Sequence, residues 1–264
     1  MNYCEYMKLG HSSPQIWGGC TRRVPLRFPG VHDVKSYLEI PLQDSNNLVV
    51  VGNCTNFKEF FYAEILKSFD PNIVKLTDIY ADKEKSPATP LTAICNGVRG
   101  QYCFKRDINK LIAYLEHVHD TLVKVYTLDA TSPENLEIII MDEVLSEICK
   151  LGKTEVANEA INLVKNIVNI SMDTNARIVF IEDKFFLDMT AYDWLRGIVD
   201  ISIPICFKCS ADVSRSLLKT DIASILKAEN EFYTVEDDGV QKYQIPCVGG
   251  DAFDNLLTNI SKSR

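Results

Sequence analysis

From about residue 40 onward, short apolar runs alternate with longer stretches of helical period. Leu48-Val49-Val50-Val51-Gly52 is an unbroken apolar run ending on glycine, the pattern of a strand buried on both faces and running into a turn. Helical spacing follows over 56–69, and a second strand is expected over 73–80. After the polar loop Ala81 to Pro87, a short strand near 101–104 leads into a long helix that Asp107 can cap. Its apolar stripe is Ile108, Leu111, Ile112, Leu115, Val118, Leu122 and Val125.

Ser132-Pro133-Glu134-Asn135 breaks the chain before Leu136-Glu137-Ile138-Ile139-Ile140-Met141, a second doubly buried strand that ends on Asp142-Glu143. The rest reads as a helix over 154–170, strands over 177–181 and 205–209, and helices over 213–218 and 221–227. A hairpin of 231–235 with 241–248, turning at Asp237-Asp238-Gly239, precedes a last helix over 251–260. Strands alternating with helices specify an α/β fold: a mainly parallel sheet with helices on both faces, plus a carboxyl-terminal β-hairpin. Residues 1–40, interrupted by Gly10, Pro14, Gly18, Gly19, Pro25, Pro29 and Gly30, read as an irregular amino-terminal extension or linker, and 41–264 as the α/β domain.

Composition narrows the class without choosing a function. The chain has 264 residues, 46% hydrophobic and 24% charged, ordinary for a globular protein. A formal net charge of -8 argues against a general nucleic-acid surface, which carries a basic field. No apolar run reaches the roughly 18 to 20 residues that span a bilayer, and the first residues hold no signal-peptide core. The nine cysteines are irregularly spaced and fit free thiols in a reducing compartment. Cys206 and Cys209 form a C-x-x-C without a second pair to complete a zinc site, and His117 and His119 diverge on a helix.

Two stretches carry candidate chemistry. The first is Gly52-Asn53-Cys54-Thr55-Asn56-Phe57-Lys58-Glu59, after a strand and before a helix. It has the layout of a P-loop, G-x-x-x-x-G-K-[ST], with Gly52 and Lys58 at the right spacing. Phe57 replaces the second glycine, and Glu59 replaces the hydroxyl that would bind Mg²⁺. A ring in the phosphate space and an anion beside anions both oppose binding. Two like charges about 4 Å apart cost on the order of 4 kcal/mol at an effective dielectric near 20. Lys58 reads as a phosphate ligand, as the partner of Glu59 or another acid, or as a surface lysine at a helix start.

The second stretch is the strand ending on Asp142-Glu143. An acid at that strand end can hold Mg²⁺, and a following glutamate can orient or deprotonate water. A strand ending in a solvated acidic turn has the same sequence, but its position downstream of the Gly52 turn favours a RecA-like core. In that reading Asp142 is the Mg²⁺ ligand and Glu143 the candidate catalytic residue.

The order of elements resembles the FtsK/SpoIIIE branch of P-loop ATPases from about Pro41 to the carboxyl terminus. The resemblance rests on Leu48 to Gly52 and on Ile198 to Ser210, which is similar to a helix, an N-I-P turn and an arginine-bearing strand. Asp212-Val213-Ser214-Arg215-Ser216-Leu217-Leu218 resembles D-S-R-x-x-L. The sensor stretch A-T-Q-R is here Ile181-Glu182-Asp183-Lys184, and Lys208 stands where the strand often carries arginine.

Within that branch the departures resemble the later, degenerate modules of the type VII secretion coupling ATPases EssC and EccC. The resemblance implies a RecA-type ATPase domain over 41–264, with weak or absent ATP and Mg²⁺ binding and a role in engaging secreted protein substrates or in regulation. It further implies neighbouring ATPase modules, a hexameric full assembly, and a cytoplasmic location tethered to the membrane through other chain or partners, without insertion of its own. The competing expectations are a DNA-translocase motor or accessory subunit of a mobile element, and a non-enzymatic oligomerisation scaffold.

Overall fold

The computed structural model describes residues 25–29, 37–41, 47–52, 57–58, 60–61, 74–81, 98–129, 136–183 and 193–245. Its centre is an eight-stranded sheet. The strands are β3 (Asn47–Val51), β4 (Val74–Tyr80), β5 (Val98–Cys103), β6 (Leu136–Asp142), β7 (Ala176–Glu182), β8 (Ser202–Cys206), β9 (Glu231–Glu236) and β10 (Gly239–Gln244). They lie in the order β10-β9-β8-β3-β7-β6-β4-β5. Pairing is parallel from β8 across to β5, and antiparallel only where β9 joins β8 and β10. This is the expected mainly parallel α/β sheet with its carboxyl-terminal hairpin.

Every residue of β3, β6 and β7 is buried, which is why the centres of these strands read as continuous apolar runs. Period-two alternation splits them between two faces. One face presents Val49, Val51, Ile79, Ile139, Met141, Ile178 and Phe180 to the main core. Helices α1 (Ile108–Asp129), α2 (Val144–Lys150), α3 (Glu155–Met172), α4 (Asp193–Val199) and α5 (Ala211–Leu218) contribute their apolar stripes to that core. Strand register places Asp78, Tyr80, Ile140, Asp142 and Ile181 on the opposite face.

Helix ends follow from short polar side chains. Asp107 Oδ1 accepts from the amides of Asn109 and Lys110, Thr154 Oγ1 from Ala157, and Ser210 Oγ from Val213. Arg177 is fully buried. Its guanidinium donates to the carbonyls of Ser171, Thr174 and Ala176, satisfying backbone acceptors in the last turn of α3 and just past it.

Several boundaries differ from the sequence expectation. Residues 1–40, expected to be irregular, include most of a two-stranded ladder, β1 (Pro25–Pro29) with β2 (Tyr37–Pro41). Proline at both ends of β1 masked it in the sequence pattern. Strand β8 ends at Cys206, so Cys209 lies beyond it, and β10 ends at Gln244. The helix expected over 221–227 is one 3-10 turn, Ile222–Ile225. Helix α2 went unanticipated, since its seven residues are too short for a periodic signal. The helix expected over 251–260 lies outside the described residues. Among the described residues, no helix is long and apolar enough to cross a membrane.

Candidate functional site

The parallel strands all end on one side of the sheet, where ligands bind in folds of this kind. Gly52 closes β3 there. Its amide donates to the Glu182 carbonyl, and Phe207 donates to the Val51 carbonyl, so the turn is wedged between β7 and β8. Gly52 has φ +103, and a Cβ at this position would lie 2.6 Å from the Lys208 carbonyl oxygen. The conformation and the close approach both require glycine.

Asn53, Cys54, Thr55, Asn56 and Glu59 lie outside the described residues. Phe57, Lys58, Phe60 and Phe61 are helical and buried. The sequence placed the Phe57 ring in the phosphate space. In the structure the ring packs into the core, 5.7 Å from the Phe61 centroid and 6.0 Å from that of Phe207. Phe207 continues the cluster to Phe232. Burial of a large aromatic outweighs any tendency to stand in an open turn.

Lys58 is also buried, which excludes the reading of a surface helix-start lysine. Its ammonium lies 3.0 Å from Asp142 Oδ2 and 3.1 Å from Asp78 Oδ1. The ring of Tyr80 is 5.1 Å away, a further cation–π contact. Burial alone would lower the lysine pKa. The two carboxylates outweigh burial, and the net direction is upward from the ordinary value, so Lys58 is held as a cation. Burial pushes Asp142 upward, against the pull of Lys58.

Asp142 therefore sits at the strand end where the sequence placed it, but it faces Lys58. Glu143 follows with φ 59, a left-handed conformation uncommon for glutamate, and starts α2. Arg106, with φ 57 itself, brings its guanidinium 3.9 Å from the Glu143 carboxylate and 3.8 Å from that of Glu147.

Two acids gain roles the sequence did not assign. Asp78 lies fully buried in the middle of β4, and the one available signal was a carboxylate interrupting an apolar strand. Glu182, at the end of β7, turns to the face opposite Asp142. There it accepts from the amides of Leu145 and Ser146 at 2.8 and 3.1 Å and from the Ser146 hydroxyl, securing the start of α2. Burial pushes its pKa up to about 8, the donors only partly offsetting that cost. Cys206 and Cys209 are free thiols whose pKa values burial raises.

In the P-loop reading, Lys58 would meet phosphate and Asp142 would meet Mg²⁺. Here the two are partners of each other, and the hydroxyl beside the lysine is absent from the sequence. The arrangement is a closed ion-pair cluster.

Solved structures share this architecture. The cytoplasmic domain of the Thermomonospora curvata type VII secretion ATPase EccC matches at TM-score 0.68, with 11% identity, over 98% of this chain and 34% of that one. The chain has the fold of an ATPase domain. The pCW3 conjugation coupling protein TcpA, solved in a monomer form with ATPγS, matches at TM-score 0.65 and 12% identity over 91% of this chain and 71% of that one. EssC (ATPases 2 and 3) from Geobacillus thermodenitrificans matches at TM-score 0.62 and 10% identity, over 95% and 50%. The chain thus spans about a third of the EccC domain and half of the EssC one. No protein-family model and no curated protein matches the sequence.

Proposed function

We propose that this chain is a degenerate FtsK-like ATPase module of a type VII secretion coupling protein. It binds ATP–Mg²⁺ weakly or not at all, and it serves in engaging exported protein substrates or in regulating neighbouring ATPase modules on the cytoplasmic side. The observation that carries this reading is the buried Lys58–Asp142 pair. The fold of an ATPase domain is kept while its phosphate-binding amine and metal-binding acid are committed to each other. Support for the secretion setting comes from the likeness to EccC and EssC, and from a net charge of -8, which opposes a duplex-DNA track.

Fluorescence anisotropy with a labelled signal peptide of a type VII substrate from the same genome tests the assignment. The expected result is micromolar binding in the absence of nucleotide. If the peptide fails to bind and duplex DNA is retarded with a steep salt dependence, the DNA-translocating reading replaces it. Its structural counterpart is the likeness to TcpA.

A further inference from the structure

A P-loop lysine facing the magnesium-binding acid involves two residues that such a site already contains. The third member, Asp78, does not belong to that set. It enters from β4, is fully buried, and places Oδ1 3.1 Å from the Lys58 ammonium. Register puts Asp78 and Asp142 on one face of adjacent strands, and Lys58 reaches them from the helical segment above. The two carboxylates hold the ammonium that a phosphate's oxygens would otherwise meet.

We infer that Asp78 is a built-in phosphate mimic, a positioning residue that holds Lys58 closed and thereby sets the affinity of this site for nucleotide. The inference rests on the degenerate-ATPase reading above and gives it a cause within the chain. With Asp142 alone, Lys58 and its partner cancel to zero charge. Adding Asp78 makes the cluster net negative, which repels a polyphosphate and gives the lysine two acceptors to abandon at once. The neighbouring strand carries a donor. Gln101 stands opposite Asp78 in the β4–β5 ladder, and its amide nitrogen is buried without a hydrogen-bond partner. It is a donor at the same ladder position as Asp78.

The experiment is calorimetric titration of ATP, with Mg²⁺ and separately with EDTA, into wild type, Asp78→Asn and Asp78→Glu. Asp78→Asn is expected to bind at least about tenfold tighter in both conditions, a gain of about 1.4 kcal/mol. Asp78→Glu, which keeps the charge, is expected to bind as weakly as wild type. Equal gains in both variants would show loosened packing and overturn the inference. So would a folded Asp78→Asn that binds no tighter than a weakly binding wild type, an outcome that leaves the degenerate-ATPase reading standing. Submicromolar binding by wild type would sink both. If Asp78→Asn does not fold, amine acetylation of wild type followed by mass spectrometry decides. Lys58 should resist modification under conditions that label the exposed Lys165, and equal rates would overturn the lock.

Discussion

Lys58 Nζ lies 3.0 Å from Asp142 Oδ2, so two residues 84 positions apart in the chain neutralise each other. The sheet explains the meeting. β3 delivers the Gly52 turn and the lysine after it, and β6 delivers the acid, with β7 between them. In such a buried pair the mutual attraction offsets desolvation only while both members stay, so an approaching phosphate must separate charges already satisfied.

Removing the cation exposes the size of that coupling. Lys58→Met leaves Asp78 and Asp142 buried with an uncompensated charge and is expected to cost about 3–5 kcal/mol of folding stability in urea denaturation. Adding Asp78→Asn and Asp142→Asn to the same chain should recover most of the loss. A loss below about 1 kcal/mol would mean the pair contributes no more than a surface contact.

Glu182 gives a pH signature. Its folded pKa, about 8, lies above its ordinary value of 4.5, so between these values the native state binds more protons than the unfolded state. Stability from this group is therefore complete below about pH 4.5 and is lost as pH rises through about 8. Glu182→Gln removes that slope while keeping an oxygen for Leu145 and Ser146. Denaturation at several pH values should show the variant gaining on wild type as pH rises, by on the order of a few kcal/mol at the alkaline end.

Gly52→Ala is expected to destabilise by about 2–3 kcal/mol, because alanine resists φ +103 and its Cβ meets the Lys208 carbonyl. Thermal melts that match wild type would show that the turn relaxes freely.

The sheet was legible because three of its strands, β3, β6 and β7, are buried on both faces, and their centres are therefore runs of aliphatic and aromatic residues. The cap of α1 was legible because Asp107 acts within three residues of itself. The ion cluster was half legible. Lys58 and Asp142 stand in recognisable spacings, but their pairing is a long-range event that no local pattern encodes. Asp78 offered only an acid at an inward strand position, and Glu182 looked like a damaged sensor until its neighbours on α2 were visible. Phe57 misled for a related reason: a residue's spacing in a motif does not say which way a large ring turns to be buried.

Phe57 gives a stability prediction that follows from this correction. Phe57→Ala should lose about 3–5 kcal/mol by opening a cavity beside Phe61 and Phe207. If Phe57→Ala instead unfolds like wild type in urea, the ring is not part of the core.

Calorimetric titration of ATP–Mg²⁺ into the wild-type chain asks whether Lys58 is withheld from phosphate. The account predicts no dissociation constant tighter than about 100 µM. A submicromolar constant, with Lys58 found on the phosphates in crystals of the complex, would contradict it.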